Sequence, residues 1–356
     1  MHVSVIIPVY NAEHFLPQAV QSACAQRETG EVILVEDGSS DGSLHVCRQL
    51  EERFSHVTVL RHKEDRHQGI SASRNLGLRA ARCPHIAFLD ADDYYLPERF
   101  RAARAVLDCD PDIDGVYDAV GIRYENDDAR TWYCGQGRPE MTTITEAVDP
   151  VNLFEAILSG DKGFFHTNGI VVRKELFDRT GLFDPSLPMC EDTAMWIKMA
   201  AVGKLVAGCI SNPVSIRRVH GENTTQRDEA RNKMYQLQMA ESLMHWGQQT
   251  SLSAKRMRLL QDLLLRFRLN MIDRNAPYLR RKMREMGCLA RFAATHPAAL
   301  RSRYYREVVG YTVGWRRCKR SMVRLFGGRG ERKRETAYST LRNRQPALTE
   351  RDAAHF

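Results

Sequence analysis

The chain has 356 residues, 43% of them apolar and 27% charged, enough to bury a sizeable core in one large domain with a smaller one attached. Its formal charge of +8 is the sum of two opposed parts: residues 1–230 hold 24 Lys/Arg against 35 Asp/Glu, a net of −11, and residues 231–356 hold 28 against 9, a net of +19. No run of 18 apolar residues is present to span a membrane. The nine cysteines are scattered singly, which argues against a disulfide framework or a zinc site and for reduced thiols in a cytosol.

The first residues read directly as strand, without the basic region and cleavage site of a signal peptide, so the expected location is cytoplasmic. Val3 to Tyr10 is a short, nearly unbroken β-branched run, as in a strand buried on both faces of a parallel sheet, with Pro8 at its end. Asn11 is an N-cap type opening a helix from about Ala12 to Gln26. A second strand, Glu31 to Glu36, runs into turn chemistry from Asp37 to Ser43, where Asp41 can cap a helix to about Phe54. A strand at Val57–Leu60, a helix at about 69–81 and an apolar run from Ile86 into Asp90 complete a β-α-β-α-β-α-β alternation. Such alternation predicts a doubly wound parallel sheet with ligands outside the carboxyl ends of its strands. Pro8 to Asn11, Glu36 to Ser39 and Asp90 to Asp93 all fall at those ends.

Asp90, Asp92 and Asp93 place three carboxylates in four residues. If the strand period holds, Asp90 and Asp92 point to one side, where like charges repel unless a cation lies between them; oxygen ligands suit Mg²⁺ or Mn²⁺, with substrate phosphates completing the shell. The plainer alternative is a solvated acidic turn before a helix from Leu96 to Asp108. Asp37 at a strand end can accept from a base or ribose, and backbone amides around Pro8 to Asn11 can hold a base edge. Arg74, in the first turns of its helix, suits an anion, or is an ordinary surface cation. No Walker-type Gly-Lys-Ser/Thr and no Gly-x-Gly-x-x-Gly is present, which disfavours ordinary ATPases and dinucleotide dehydrogenases.

Beyond Pro111, Val116 to Arg123 reads as a strand, Asp127 to Thr145 as a polar excursion, and Asp149-Pro150 as the start of a helix to about Leu158. Phe164 and Phe165 could face an acceptor sugar or pack in the core. Glu191-Asp192 opens an amphipathic helix, and His220 follows the last strand-like run. From about Asp228 the texture turns to helix formers: Met234–Trp246, Leu252–Asn270 and Ala276–Phe292, with Arg and Lys interleaved among Leu, Met and Phe. Such faces either pack on the first domain or lie on an anionic membrane surface, a reading that Tyr304, Tyr305, Tyr311, Trp315 and Arg316 to Arg320 also fit. Nucleic acid is a weaker third option, since no recognition module accompanies the charge. The expected division is a catalytic domain at 1–227, a basic helical extension at 228–325 and a disordered tail at 326–356.

Val3 to Asn11, Val35-Glu36-Asp37-Gly38-Ser39-Ser40-Asp41, Ser73-Arg74-Asn75-Leu76-Gly77 and Phe88-Leu89-Asp90-Ala91-Asp92-Asp93 together resemble family 2 glycosyltransferases, inverting enzymes that use nucleotide sugars. Four motifs in order make the match specific over about residues 1–110, with Glu36 where the family often has Asp. The resemblance implies a Rossmann-like doubly wound sheet of the A-type glycosyltransferase fold. It implies that Pro8, Tyr10, Asn11, Asp37, Arg74 and Asp90 lie at the nucleotide, that Asp92 and His220 approach the metal, Mn²⁺ or Mg²⁺, and that Asp192 is the catalytic base with Glu191 beside it. It also implies a nucleotide-sugar donor, UDP-linked, and a saccharide or lipid-linked saccharide acceptor in envelope glycan synthesis. The competing readings are a sugar-phosphate nucleotidyltransferase and an inactive basic binding protein.

Overall fold

A computed structural model describes residues 1–63, 66–221 and 229–312; Trp315, the Arg316–Arg320 run, the tail at 326–356 and the boundary at 227/228 lie outside the described residues. The first half shows the expected alternation: β1 (Val3–Val9), α1 (Leu16–Cys24), β2 (Thr29–Glu36), α2 (Ser43–Arg53), β3 (Val57–Arg61), α3 (Ile70–Ala80) and β4 (His85–Phe88). After it come β5 (Tyr94–Tyr95), α4 (Arg101–Leu107), β6 (Gly115–Tyr117), β7 (Val120–Tyr124), α5 (Asp127–Gly135), β8 (Met141–Thr142), α6 (Pro150–Ser159), β9 (Ile170–Arg173), α7 (Leu176–Thr180), α8 (Glu191–Val202), β10 (Leu205–Ala207) and β11 (Ser215–Val219). Four longer helices close the described chain: α9 (Glu229–Gln249), α10 (Ala254–Asn270), α11 (Tyr278–Thr295) and α12 (Arg303–Thr312).

Seven strands form the main sheet in the order β10-β6-β9-β4-β1-β2-β3, and all neighbours run parallel except at β9, which is antiparallel to both β4 and β6. The β-branched runs of β1 and β2 are buried because helices cover both faces. On one face α3 comes close to β1: a Cβ added to Gly77 would meet Ile6 Cγ2, so only glycine admits this approach. A smaller sheet, β5-β11-β7-β8, stands beside the first.

Several local expectations needed correction. Asn11 does not cap α1. It adopts φ +50 and its Oδ1 accepts from Ser40 N (2.8 Å), tying the end of β1 to the turn after β2, while the helix starts at Leu16 with Pro17 in its first turn. The helix expected from Leu96 begins only at Arg101, because Leu96 N donates to Val214 O (3.0 Å) and keeps the chain in the small sheet. The single strand expected over Val116–Arg123 is two. It breaks at Asp118, whose buried carboxylate pairs with Arg99 (2.8 Å), so that β6 and β7 enter different sheets. The polar excursion contains α5, capped by Asn126 Oδ1 accepting from Ala129 N (2.8 Å).

The basic helices pack on the rest of the molecule. Met239, Leu243, Trp246, Leu260 and Leu264 share one buried cluster with Phe88, Phe183 and Trp196, and Ser242 Oγ donates to Asp184 (2.5 Å). No described helix is long and apolar enough to cross a membrane.

Candidate active site

The carboxyl ends of β1, β2, β4 and β11 and the first turns of α3 and α8 face one another, and every residue singled out for the site lies at one of these places. At the β1 and β2 ends, Asp37 is buried and already engaged. Its oxygens accept from the amides of Gln68 (2.7 Å) and Gly69 (2.9 Å), which turns the chain into α3. His67 Nδ1 lies 3.0 Å from Asp37 Oδ2, and its ring lies 4.0 Å from the exposed ring of Tyr10, tilted by 36°. Pro8, Tyr10 and Asn11 thus lie at the same sheet edge as Asp37.

The turn after β4 is held from three sides. Asp90 N donates to Asn168 Oδ1 (3.0 Å), and Asp93 accepts from Asn168 Nδ2 (2.6 Å) and Arg218 N (2.7 Å). Arg218 also donates to the Asp92 carbonyl (2.9 Å) and pairs with Glu125 (3.1 Å). Burial, with the charges of Asp92 and Asp90 beside it, pushes the Asp93 carboxyl well above the ordinary range. The turn therefore resists a third negative charge, and a cation placed there would favour the ionised form of Asp93.

Arg74 is no surface cation. At 1% exposure it donates through Nη1 to Glu191 Oε1 (2.7 Å) and through Nη2 to Asp90 Oδ1 (3.0 Å), with its guanidinium over the Phe183 ring at 5.4 Å. It joins the β4 turn to the start of α8, 117 residues away in sequence. Burial opposes its charge, but Asp90, Glu191 and Asp192 outweigh that and hold its pKa above the usual value. Glu191 is pushed up to about 7 by burial and the Asp192 charge, against the pull of Arg74. Asp192, half-buried, accepts from Thr193 N (2.5 Å) and from Thr167 Oγ1 (3.4 Å).

Two groupings could hold a divalent cation. His220 Nε2 lies 3.1 Å from Asp92 Oδ2. Two adjacent ligands of an octahedral ion at ~2.1 Å stand about 3.0 Å apart, so the pair fits neighbouring positions around Mg²⁺ or Mn²⁺. Asp90, Asp93 and His166 also offer ligand atoms all within 4.8 Å of one another. Burial first, then the nearby cations Arg217 and Arg74, lower the His166 pKa, which keeps the imidazole neutral as a ligand must be.

His166, Asn168 and Arg218 are the site residues that local pattern reading did not single out. His166 stood inside a stretch read for its aromatic rings, and Asn168 and Arg218 carry no signal beyond being polar residues beside a strand. Their placement depends on β9 and β11 lying against the β4 turn.

Residues 4–180 match the profile described as Glycosyl transferase family 2. The succinoglycan biosynthesis protein ExoU of Rhizobium meliloti is 29% identical over 218 residues, 58% of this chain and 60% of that protein. The minor teichoic acid biosynthesis protein GgaA of Bacillus subtilis is 30% identical over 195 residues, 53% of this chain and 41% of that protein. The chain thus spans less than two thirds of the length of either relative. Among solved structures, residues 1–349 of S. aureus TarS share the fold with a TM-score of 0.59 and 18% identity, over 89% of this chain and 92% of that one.

Proposed function

The chain belongs to glycosyltransferase family 2, and we propose that its site transfers a hexosyl or N-acetylhexosaminyl group, with inversion, from a UDP-linked donor to a saccharide or lipid-linked saccharide. The observation that carries this reading is the Arg74 bracket, which brings the Asp90–Asp93 turn and the Glu191-Asp192 helix start to the same cleft. Residues 1–227 are the catalytic part in this reading and the helices after 228 an extension. ExoU is named for succinoglycan biosynthesis and GgaA for minor teichoic acid biosynthesis, which supports an envelope glycan as the product here. TarS has been solved with UDP-GlcNAc, which makes UDP the first donor to try.

The nucleobase binds at Tyr10 and Asp37, where His67 and the amides now held by Asp37 must give way or share the carboxylate. Asp92 and His220, with Asp90 and Asp93 behind them, face the diphosphate and would hold Mn²⁺ or Mg²⁺. When bound, that ion takes up charge developing on the leaving diphosphate. Asp192 accepts the proton of the acceptor hydroxyl as that oxygen attacks the anomeric carbon from the face opposite the diphosphate. Thr193 and Thr167 hold Asp192 in place by hydrogen bonds, and Arg74 anchors the neighbouring Glu191. A single displacement of this kind requires no nucleophile from the protein.

The test is thermal unfolding of the chain with UDP, GDP, CDP and ADP and their sugars, with and without Mn²⁺. A nucleotide at 100 times its dissociation constant stabilises the folded state by about 2.7 kcal/mol. Metal-dependent stabilisation by uridine ligands, lost in Asp92→Asn, is expected. Asp192→Asn keeps that stabilisation while turnover falls by about 10²–10⁴-fold. Stabilisation without any dependence on Asp92, or turnover that survives Asp192→Asn, refutes the assignment.

A further inference from the structure

Helix α11 carries two apolar faces, and among the described residues only one of them is packed against the rest of the molecule. Leu289 and Phe292 are buried against the neighbouring helices, and the Tyr305 hydroxyl donates to the Leu289 carbonyl (3.1 Å). About a third of the way round the helix, Leu279, Met283 and Met286 are 72%, 67% and 51% exposed. With Ala290, also exposed, they stand at i, i+4, i+7 and i+11, which at 3.6 residues per turn draws a single stripe along the helix.

The borders of that stripe are cationic. Arg280, Arg284 and Arg291 are exposed along one edge, and Lys282 lies on the other, its Nζ over the rings of Tyr311 (4.7 Å) and Tyr278 (6.0 Å). Both tyrosine rings are themselves exposed. An exposed apolar stripe between cations, with tyrosines at its side, is the pattern of a helix lying in the plane of a lipid interface. The apolar side chains enter the acyl boundary and the exposed guanidinium groups meet anionic headgroups, while the Lys282 ammonium stays paired with Glu285 (2.8 Å). The helix is too charged to cross a bilayer. The part of the chain that includes it is the part with the net charge of +19 (28 Lys/Arg against 9 Asp/Glu over residues 231–356).

We propose that the Leu279–Met283–Met286 face of α11 is a docking surface for an anionic lipid bilayer. Binding needs no donor and no turnover, so it stands or falls separately from the glycosyl transfer. A second copy of this chain could also cover an apolar stripe, but two copies would bring Arg280, Arg284 and Arg291 of one against cations of the other unless acids intervened. Negatively charged headgroups avoid that repulsion, and this charge match favours lipid as the occupant.

The test is co-sedimentation of the full chain with vesicles of phosphatidylcholine alone and of phosphatidylcholine with phosphatidylglycerol, at low and high salt. Binding to the anionic vesicles, weakened by salt, is expected. The triple substitution Leu279→Glu, Met283→Glu and Met286→Glu should abolish it while leaving the unfolding midpoint and any nucleotide-dependent stabilisation unchanged, because all three side chains face solvent. Arg280→Ala with Arg284→Ala should weaken it by about fivefold for each cation removed. No binding to anionic vesicles overturns the proposal. So does binding that the triple substitution leaves intact, which would place the contact elsewhere on the chain. A dimer in solution that the triple substitution dissociates also overturns it, since the stripe would then be an interface between copies.

Discussion

Replacing Arg74 by methionine keeps most of the side chain's length and removes a charge from a place where nothing else can supply it. The guanidinium is buried between Glu191 (2.7 Å) and Asp90 (3.0 Å). Taking one partner out of a buried ion pair costs about 3–5 kcal/mol, because the remaining charge has lost both water and its counter-ion. Glu191 can escape part of that cost by taking up a proton, and its pKa of about 7 in the intact site shows how near it already is to doing so. The loss should therefore lie at the lower end near pH 6 and grow toward pH 8.5. At ~2.1 cal/mol/K of unfolding entropy per residue, the 356 residues give roughly 0.75 kcal/mol/K, so the midpoint should fall by about 4–7 °C. Thermal unfolding at both pH values, followed with and without UDP and Mn²⁺, reads this directly. An unchanged midpoint together with lost nucleotide stabilisation would show that Arg74 is a free ligand of the nucleotide, and the bracket between the two halves of the site would be refuted.

Glu191 makes a second, opposite prediction with pH. Its folded pKa of about 7 lies above the ~4.3 of an unfolded chain, so its contribution is fully present below pH ~4.3 and is lost as pH rises through about 7. Glu191→Gln removes that loss, and the variant should gain on the wild type by about 3 kcal/mol between pH 4.5 and pH 8, measured as the difference of two denaturant titrations. A pH-independent difference contradicts it. Asp118→Asn leaves Arg99 buried with its partner's charge gone and should cost about 3–5 kcal/mol. Because Arg99 also donates to the Asn168 carbonyl (3.0 Å), uridine-nucleotide stabilisation should weaken as well; a stability loss under 1 kcal/mol would show that the pair contributes little to the site.

Much of this protein was legible in local order. The β-branched runs of β1 and β2 and the Gly-Ser-Asp turn chemistry between elements act over a few residues, and so does the acid cluster after β4. Each is decided by backbone sterics and period, which the sequence states directly. Alternation of such elements leaves few topologies, and the rule that ligands meet parallel sheets at the strand ends then pointed to Asp37, Asp90 and Asp92 before any coordinates. Only the tertiary structure decided the rest. That β9 runs antiparallel between β4 and β6, that the 116–123 run breaks at Asp118, and that Asn168 and Arg218 clamp the β4 turn all depend on partners 19 to 125 residues apart. Arg74 reads locally as a cation at a helix start and becomes a buried bracket only because α8 arrives beside it. The same holds for α11, where among the described residues one apolar stripe is covered by its neighbours and the other is not. Side-chain pattern states which faces are apolar, but which of them finds a partner is settled by where the whole chain packs.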